Sequence, residues 1–175
     1  MEIYLIRHTS VCVPPGYVYG QTDVALNDTF EAEAGVVKKN LEGLVFDEVW
    51  CSPLTRCVRL AGYCGYPHAL RDDRIKELNF GAWEMKVWNE LTDGRSKDWF
   101  ANWVDTPTPG GESLTDQYKR VALFLDEVRQ GDYRRVGVFA HGGVLANARV
   151  YAGECSIERA FEHIPAYGEI IKLQF

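Results

Sequence analysis

The sequence predicts an α/β protein with a mostly parallel central sheet covered by helices on both faces. Three observations predict it: short continuous apolar runs, longer stretches with apolar residues three and four apart, and alternation of the two along 175 residues. The first run, Ile3-Tyr-Leu-Ile6, is too short for a buried helix, and its β-branched and aromatic content reads as a strand buried on both sides. Residues 47–51 and 135–140 repeat that pattern, and 170–175 form a terminal strand candidate. Helices are expected over 30–44, 54–64, 113–129 and 143–152. In the helix over 113–129, Leu114, Tyr118, Val121, Leu125 and Val128 share one face; Ser113 and Asp116 supply a capping box, and Gly131 stands just beyond the end. Segment 78–108 breaks the alternation. It holds Trp83, Trp88, Trp99 and Trp103 among short helical pieces and is expected to run over one edge of the sheet.

The chain is long enough for one domain with its own apolar core. No linker-like stretch, internal repeat or low-complexity tract divides it, so a single domain over 1–175 is expected. With 19 basic and 25 acidic residues the formal net charge is −6, which repels polyanions. Nucleic acid is therefore not an expected partner, and any anion that binds needs a local cluster of arginines. Five cysteines, an odd number at irregular spacing without Cys-x-x-Cys or a zinc-ligand set, fit reduced thiols. Ile3 to Ile6 are the only apolar residues between Glu2 and Arg7, far short of a signal-peptide core or a membrane span. A cytoplasmic protein without membrane contact is expected; oligomeric state has no signature in the sequence.

Arg7-His8 ends the first strand, Cys51-Ser-Pro-Leu-Thr-Arg56 the second, and His141-Gly-Gly143 the third. Open parallel sheets bind ligands at the carboxyl ends of their strands, so these residues should converge on one crevice. Two arginines and two histidines suit a phosphoryl group and its oxygens. A buried arginine beside an apolar strand end needs an anionic partner, and two need more than one carboxylate offers. Gly142 and Gly143 opening a helix let backbone N–H groups and the helix dipole approach an anion. Taken singly, Arg56 also fits a surface helix residue and His141 a satisfied core histidine; the joint pattern favours a phosphate site. No Walker-type loop occurs, and the four histidines are dispersed, with His68 and His163 lacking matching ligands. No metal is expected.

Displacing an alkoxide from phosphorus requires an acid, because the departing oxygen leaves poorly unless protonated. The candidate is Glu77, in Arg74-Ile-Lys-Glu-Leu-Asn-Phe-Gly-Ala-Trp-Glu84, where apolar neighbours and nearby anions would raise a carboxyl pKa toward neutrality. Glu84 and Glu112 are competing carboxylates, and a surface pairing of Glu77 with Arg74 or Lys76 is the non-catalytic alternative.

Five motifs, Leu5-Ile-Arg-His8, Ser52-Pro-Leu-Thr-Arg56, Glu77-Leu-Asn-Phe-Gly-x-Trp-Glu84, Pro109-Gly-Gly-Glu-Ser113 and His141-Gly-Gly143, occur in register over nearly the whole chain. Together they resemble the histidine phosphatase superfamily in its phosphoglycerate-mutase-like branch. The resemblance implies a three-layer α/β/α sandwich with His8 as the phosphorylated nucleophile and Arg7, Arg56 and His141 completing the phosphate pocket. It also implies Glu77 as proton donor to the leaving group and then base for water, with no cofactor or metal. Gly142, Gln21 and Trp83 are expected to contact substrate. Thr9 stands where the family usually has glycine after Arg-His, and Lys86 replaces a common glycine after the Trp-Glu pair.

Within the superfamily, the short length and Gly16-x-x-Tyr-Gly-Gln-Thr-Asp23 are most similar to the alpha-ribazole phosphatases. Those enzymes remove phosphate from alpha-ribazole 5′-phosphate in assembly of the cobalamin nucleotide loop, so the expected partner is a small phosphomonoester. The alternatives are a phosphoglycerate mutase, a broad-specificity sugar or nucleotide phosphatase, and a non-catalytic phosphate binder. Mutases of the family are longer, with an insertion that closes the site; a binder would have no use for His8 together with Glu77. The resemblance places segment 78–108 over the phosphate pocket. Its tryptophans offer a flat apolar face to a planar base. Its charges, Lys86, Arg95 and Lys97 against Glu84, Glu90, Asp93, Asp98 and Asp105, supply little positive field for a phosphoglycerate.

Overall fold

Alternate side chains of the central strands enter two separate apolar cores, which commits both faces of the sheet to helices. In the computed structural model, which describes residues 1–92 and 94–175, strand β1 spans Glu2–Arg7, β2 Glu48–Cys51, β3 Leu70–Arg71, β4 Arg135–Ala140 and β5 Ile170–Gln174. Asp93, counted above among the acidic residues, lies outside the described residues. The sheet order is β3-β2-β4-β1-β5, parallel throughout except for β5, which runs antiparallel to β1. β3 has two exposed residues and no apolar run, so nothing in the sequence marked it.

Helices α1 (Phe30–Asn40) and α2 (Thr55–Tyr63) cover one face, where Phe30, Ala34, Val37, Cys57, Leu60 and Ala61 meet Ile6, Cys51 and Phe139. On the other face Val121, Phe124, Leu125, Val144, Leu145 and Ala148 pack on Ile3, Leu5, Val136 and Val138. These residues belong to α4 (Leu114–Gln130) and α5 (Gly142–Tyr151), α3 being Gly94–Ala101. The architecture is the expected three-layer α/β/α sandwich. Truncating a buried aromatic such as Phe139 to alanine costs about 3–5 kcal/mol in cores of this kind. α4 starts on the expected capping box, Ser113 with Asp116, and ends at Gly131. The helix expected over 30–44 stops at Asn40; the chain turns soon after, at Gly43, whose φ of +80° is incompatible with a right-handed helix.

Parallel register carries the functional residues to one place. Arg7 lies opposite Ala140 and Cys51 opposite Phe139, so His8, Ser52 and His141 leave the sheet side by side at its carboxyl end. Segment 78–108 lies across that same end instead of along an edge strand. Tyr17 bridges Val87, and Trp83 and Trp99 build a small core with Val18. Trp103 departs from that group to stack on Phe161, with ring centroids 5.1 Å apart. The left-handed backbone near the substituted family glycine falls on Met85, with φ 60°, and not on Lys86. No helix among the described residues is long and apolar enough to cross a membrane.

Candidate active site

His8 is 2% exposed, and its Nδ1 lies 2.7 Å from the carbonyl oxygen of Thr9. A carbonyl only accepts, so Nδ1 carries the proton and the lone pair resides on Nε2. Burial, followed by the charge of Arg56 and opposed by the Thr9 hydrogen bond, pushes the imidazole pKa down to about 3. The ring is therefore neutral and nucleophilic at Nε2 across the physiological range. Thr9 itself is fully buried and takes no left-handed backbone. Replacement of the family glycine therefore does not disturb the tether.

Arg56 is fully buried and donates from Nη1 to the Thr22 carbonyl at 3.0 Å, from Nη2 to the Gly20 carbonyl, and from Nε to Nδ1 of His141 at 3.2 Å. That last contact fixes a second tautomer. Because Nδ1 of His141 accepts, Nε2 carries the proton and donates to Ser52 Oγ at 2.7 Å. Burial first and Arg56 second hold the His141 pKa well below its ordinary value, and its ring lies 5.2 Å from that of His8. Arg7 donates from Nη1 to the Pro165 carbonyl and runs beneath α5, where a Cβ on Gly142 would come within 3.2 Å of its guanidinium carbon. Among the described residues neither Arg7 nor Arg56 has a carboxylate within ion-pair distance. Two uncompensated guanidinium groups beside a neutral histidine form an anion site.

Glu77 is held at the first turn of α5. Its Oε2 accepts from the Gly143 backbone N–H at 3.1 Å, and its Oε1 accepts from the Leu78 N–H at 2.8 Å and from Gln117 Nε2 at 3.0 Å. These surroundings differ from the expected apolar and anionic ones: three N–H donors face the carboxylate. Neither Arg74 nor Lys76 pairs with it, since their partners are Asp72, Glu127 and Asp73. The two competing carboxylates are committed elsewhere. Glu84 accepts from the backbone N–H groups of Gly20, Gln21, Thr22 and Phe80 and from the Thr22 hydroxyl. Burial would raise its pKa, but those hydrogen bonds outweigh it and hold the group below the usual carboxylate range. Glu112 makes a two-point contact with Arg120 and accepts from the Asn79 N–H.

A cleft of about 370 Å³ opens beside these groups, lined by Arg7, Tyr19, Glu77, Gly142, Gly143 and Tyr167 on one side and by Tyr17, Val18, Leu78, Phe80, Trp88, Trp99, Phe161 and Ile164 on the other. Among its lining residues only Arg7 and Glu77 are charged. Two of the expected substrate contacts are corrected here. Trp83 is 1% exposed and packs on Trp99 within the small core, so Trp88 and Trp99 supply the aromatic wall instead. Gln21 does not line the cleft; its side chain donates to the Glu77 carbonyl at 3.1 Å. Arg56 and His141 lie behind the lining, while Gly142 faces the cleft as expected. His68 and His163 are exposed and outside the site. Among the described residues no three His, Cys, Asp or Glu side chains gather as a metal site requires.

Sequence reasoning missed Gln117, Asn147 and Tyr167. Gln117 is fully buried, braces Glu77 and accepts from Asn147 Nδ2 at 3.0 Å. Its signal was present: an amide within the apolar stripe of α4 has to find a buried partner. Tyr167 had no such signal, because it acts across the whole length of the chain.

The sequence matches the model of the histidine phosphatase superfamily (branch 1) over residues 3–175. It is 30% identical to phosphoserine phosphatase 1 of Hydrogenobacter thermophilus over 146 residues, 79% of this chain and 69% of the relative. It is 26% identical to the adenosylcobalamin/alpha-ribazole phosphatase of Salmonella typhimurium, covering 83% of this chain and 76% of that one. The fold is similar to that of the alpha-ribazole phosphatase from Shigella flexneri, with TM-score 0.92, 21% identity and coverage of 100% and 91%. It is also similar to the phosphoglycerate mutase from Thermus thermophilus, with TM-score 0.80, 28% identity and coverage of 100% and 94%. With the family model matched almost from end to end, on a chain whose arginines and histidines meet at the carboxyl end of a parallel sheet, this protein belongs to the histidine phosphatase superfamily, branch 1.

Proposed function

We propose that the protein hydrolyses phosphomonoesters through a phosphohistidine on His8, and that its substrate is alpha-ribazole 5′-phosphate. The observation that carries the chemistry is the tether from His8 Nδ1 to the Thr9 carbonyl, which leaves a neutral imidazole with its lone pair on Nε2 beside two unpaired arginines. In the first step Nε2 attacks phosphorus, the ester P–O bond breaks, and protonated Glu77 delivers its proton to the departing oxygen. In the second, water attacks the phosphoryl group while the Glu77 carboxylate takes its proton, and the N–P bond electrons return to Nε2. Arg7 and Arg56 hold the phosphoryl oxygens, and the N–H groups opening α5 add the positive end of its dipole.

The choice of substrate rests on the cleft. Its outer wall is aromatic and aliphatic, and Arg7 is the single cation among its lining residues, already assigned to the phosphoryl group. Dimethylbenzimidazole is flat, apolar and poor in hydrogen bonds, so stacking on Trp88 or Trp99 suits it. 3-Phosphoglycerate and phosphoserine each add a carboxylate that the cleft leaves without a partner. A base–aromatic stack is worth roughly 1–3 kcal/mol. We expect kcat/KM for alpha-ribazole 5′-phosphate to exceed that for 3-phosphoglycerate by at least about a hundredfold.

The test is a hydrolysis screen of the purified protein with alpha-ribazole 5′-phosphate, phosphoserine, nucleotides and phosphoglycerates, joined to a quench experiment with labelled substrate. Label should stay on the wild-type protein after alkaline quenching and be lost in acid, and His8→Ala should carry none. Full turnover by that variant would remove the phosphohistidine; comparable efficiency on a phosphoglycerate would remove the substrate assignment alone.

A further inference from the structure

Tyr167 and Tyr19 come from loops far apart in sequence, yet their hydroxyls are 2.6 Å apart. The Tyr167 ring centroid lies 4.1 Å from the Arg7 guanidinium carbon and 5.5 Å from the His8 ring. Tyr19 faces the other arginine, with Arg56 at 5.7 Å. The loop that carries Tyr167 is fastened to the end of β1: Gly168 N–H donates to the His8 carbonyl at 3.1 Å, and Arg7 N–H donates to the Glu169 carbonyl at 3.0 Å. Arg7 is thus pressed between the Gly142 backbone on one side and an aromatic face on the other.

A guanidinium that is to bind a phosphoryl dianion has to be held still without being neutralised. A carboxylate would hold it but would also cancel its charge and compete with the phosphate. An aromatic face attracts the cation through its quadrupole and carries no net charge. Burial and the Tyr167 hydrogen bond raise the Tyr19 phenol, so this partner remains uncharged at any physiological pH.

We propose that Tyr19 and Tyr167 are positioning residues: a hydrogen-bonded, uncharged brace that fixes Arg7 for the phosphoryl group, with Tyr19 acting through Tyr167. The inference rests on the reading of Arg7 as a phosphate ligand. Substrate does not need to touch either phenol for the brace to work. Tyr167→Phe keeps the aromatic face and loses the hydrogen bond; Tyr167→Leu loses both.

The experiment measures competitive inhibition by inorganic phosphate, with an aryl phosphate as reporter, on the full chain and with melting temperature recorded for each variant. Tyr167→Leu should weaken phosphate about tenfold, the scale of a desolvated cation–π contact. Tyr19→Phe and Tyr167→Phe should each weaken it about threefold, and the double variant no further, because both remove one shared hydrogen bond. Arg7→Leu should weaken phosphate more than any of them. If Arg7→Leu binds phosphate like wild type, the reading of the phosphate pocket fails, and the brace with it. If Arg7→Leu weakens phosphate while a folded Tyr167→Leu does not, the brace alone is wrong. Should Tyr167→Leu fail to fold, the two phenylalanine variants decide: effects that multiply in the double variant exclude a shared bond and overturn the proposal.

Discussion

Gly143 donates its backbone N–H to Oε2 of Glu77, and a Cβ added to Gly143 would lie 2.4 Å from Oε1 of the same carboxylate. The glycine therefore does two things at once: it supplies a donor and leaves the room the carboxylate occupies. Gly143→Ala should push Glu77 off its position. A displacement of about 1 Å at a catalytic group costs on the order of 10²-fold, so kcat should fall by about that factor while phosphate inhibition changes little. Steady-state kinetics with a phosphate inhibition series would show it; an unchanged kcat would mean that Glu77 is not the acid.

The role of Glu77 can also be read from leaving groups. Glu77→Gln keeps the size and acceptor oxygen but cannot deliver a proton. Alkyl esters should slow by roughly 10²–10⁴, the usual worth of a general acid, whereas aryl esters, whose phenolate departs unaided, should lose less in the phosphorylation step. Single-turnover measurements on both classes separate that step from hydrolysis of the intermediate. Equal losses would return attention to water activation alone, since Glu84 and Glu112 are tied to backbone amides and Arg120.

The legible part of this protein is the part governed by local periodicity. Apolar runs marked four of the five strands, and the stripe from Leu114 to Val128 marked α4 together with its Ser113 cap. Convergence of Arg7, His8, Arg56 and His141 followed from strand ends and a parallel register. What the sequence concealed is partner choice among aromatic residues. Trp83 and Trp88 stand five residues apart in one segment, but Trp83 turns into a small core with Val18 while Trp88 lines the cleft. An indole reads the same whether it meets another indole or an opening. Glu84 illustrates the reverse problem. Its place in a family motif suggested chemistry, and the structure gives it five hydrogen bonds that fasten residues 20–22 and Phe80.

Two neutral, buried histidines should leave a signature in acid. The folded pKa of His8, about 3, lies below its value in an unfolded chain, and that of His141 is lowered as well. The unfolded state therefore binds more protons as pH falls below about 6.5, and stability must drop with it. At full effect each such histidine contributes a slope of about 1.4 kcal/mol per pH unit, so unfolding free energy should be about 2.7 kcal/mol lower at pH 5.5 than at pH 7.5. Carboxylates with lowered pKa, such as Glu84 and Asp116, add their loss only at lower pH, near and below their unfolded values. Urea titrations in phosphate-free buffer measure the difference, and His8→Gln should remove about half of it. A flat profile over that window would show that the histidines are not buried neutral.

The tryptophans separate stability from recognition. Trp83 is enclosed by Val18 and Trp99, whereas Trp88 stacks on Trp99 with ring centroids 5.4 Å apart and presents its other side to the cleft beside Phe80. Trp83→Ala should thus act on the fold, at about 3–5 kcal/mol, with whatever activity remains showing an unaltered preference among substrates. Trp88→Ala should act on recognition. Losing a stacking face worth roughly 1–3 kcal/mol raises KM for alpha-ribazole 5′-phosphate by about 5- to 150-fold, while an alkyl phosphate too small to reach the wall is hydrolysed as before. Phosphoryl transfer occurs at the other end of the site, so kcat for both substrates should hold. The measurement is the ratio of kcat/KM for the two substrates in wild type and in each variant, with urea unfolding in parallel. A ratio that moves with Trp83 and not with Trp88 would place the base elsewhere than on this wall.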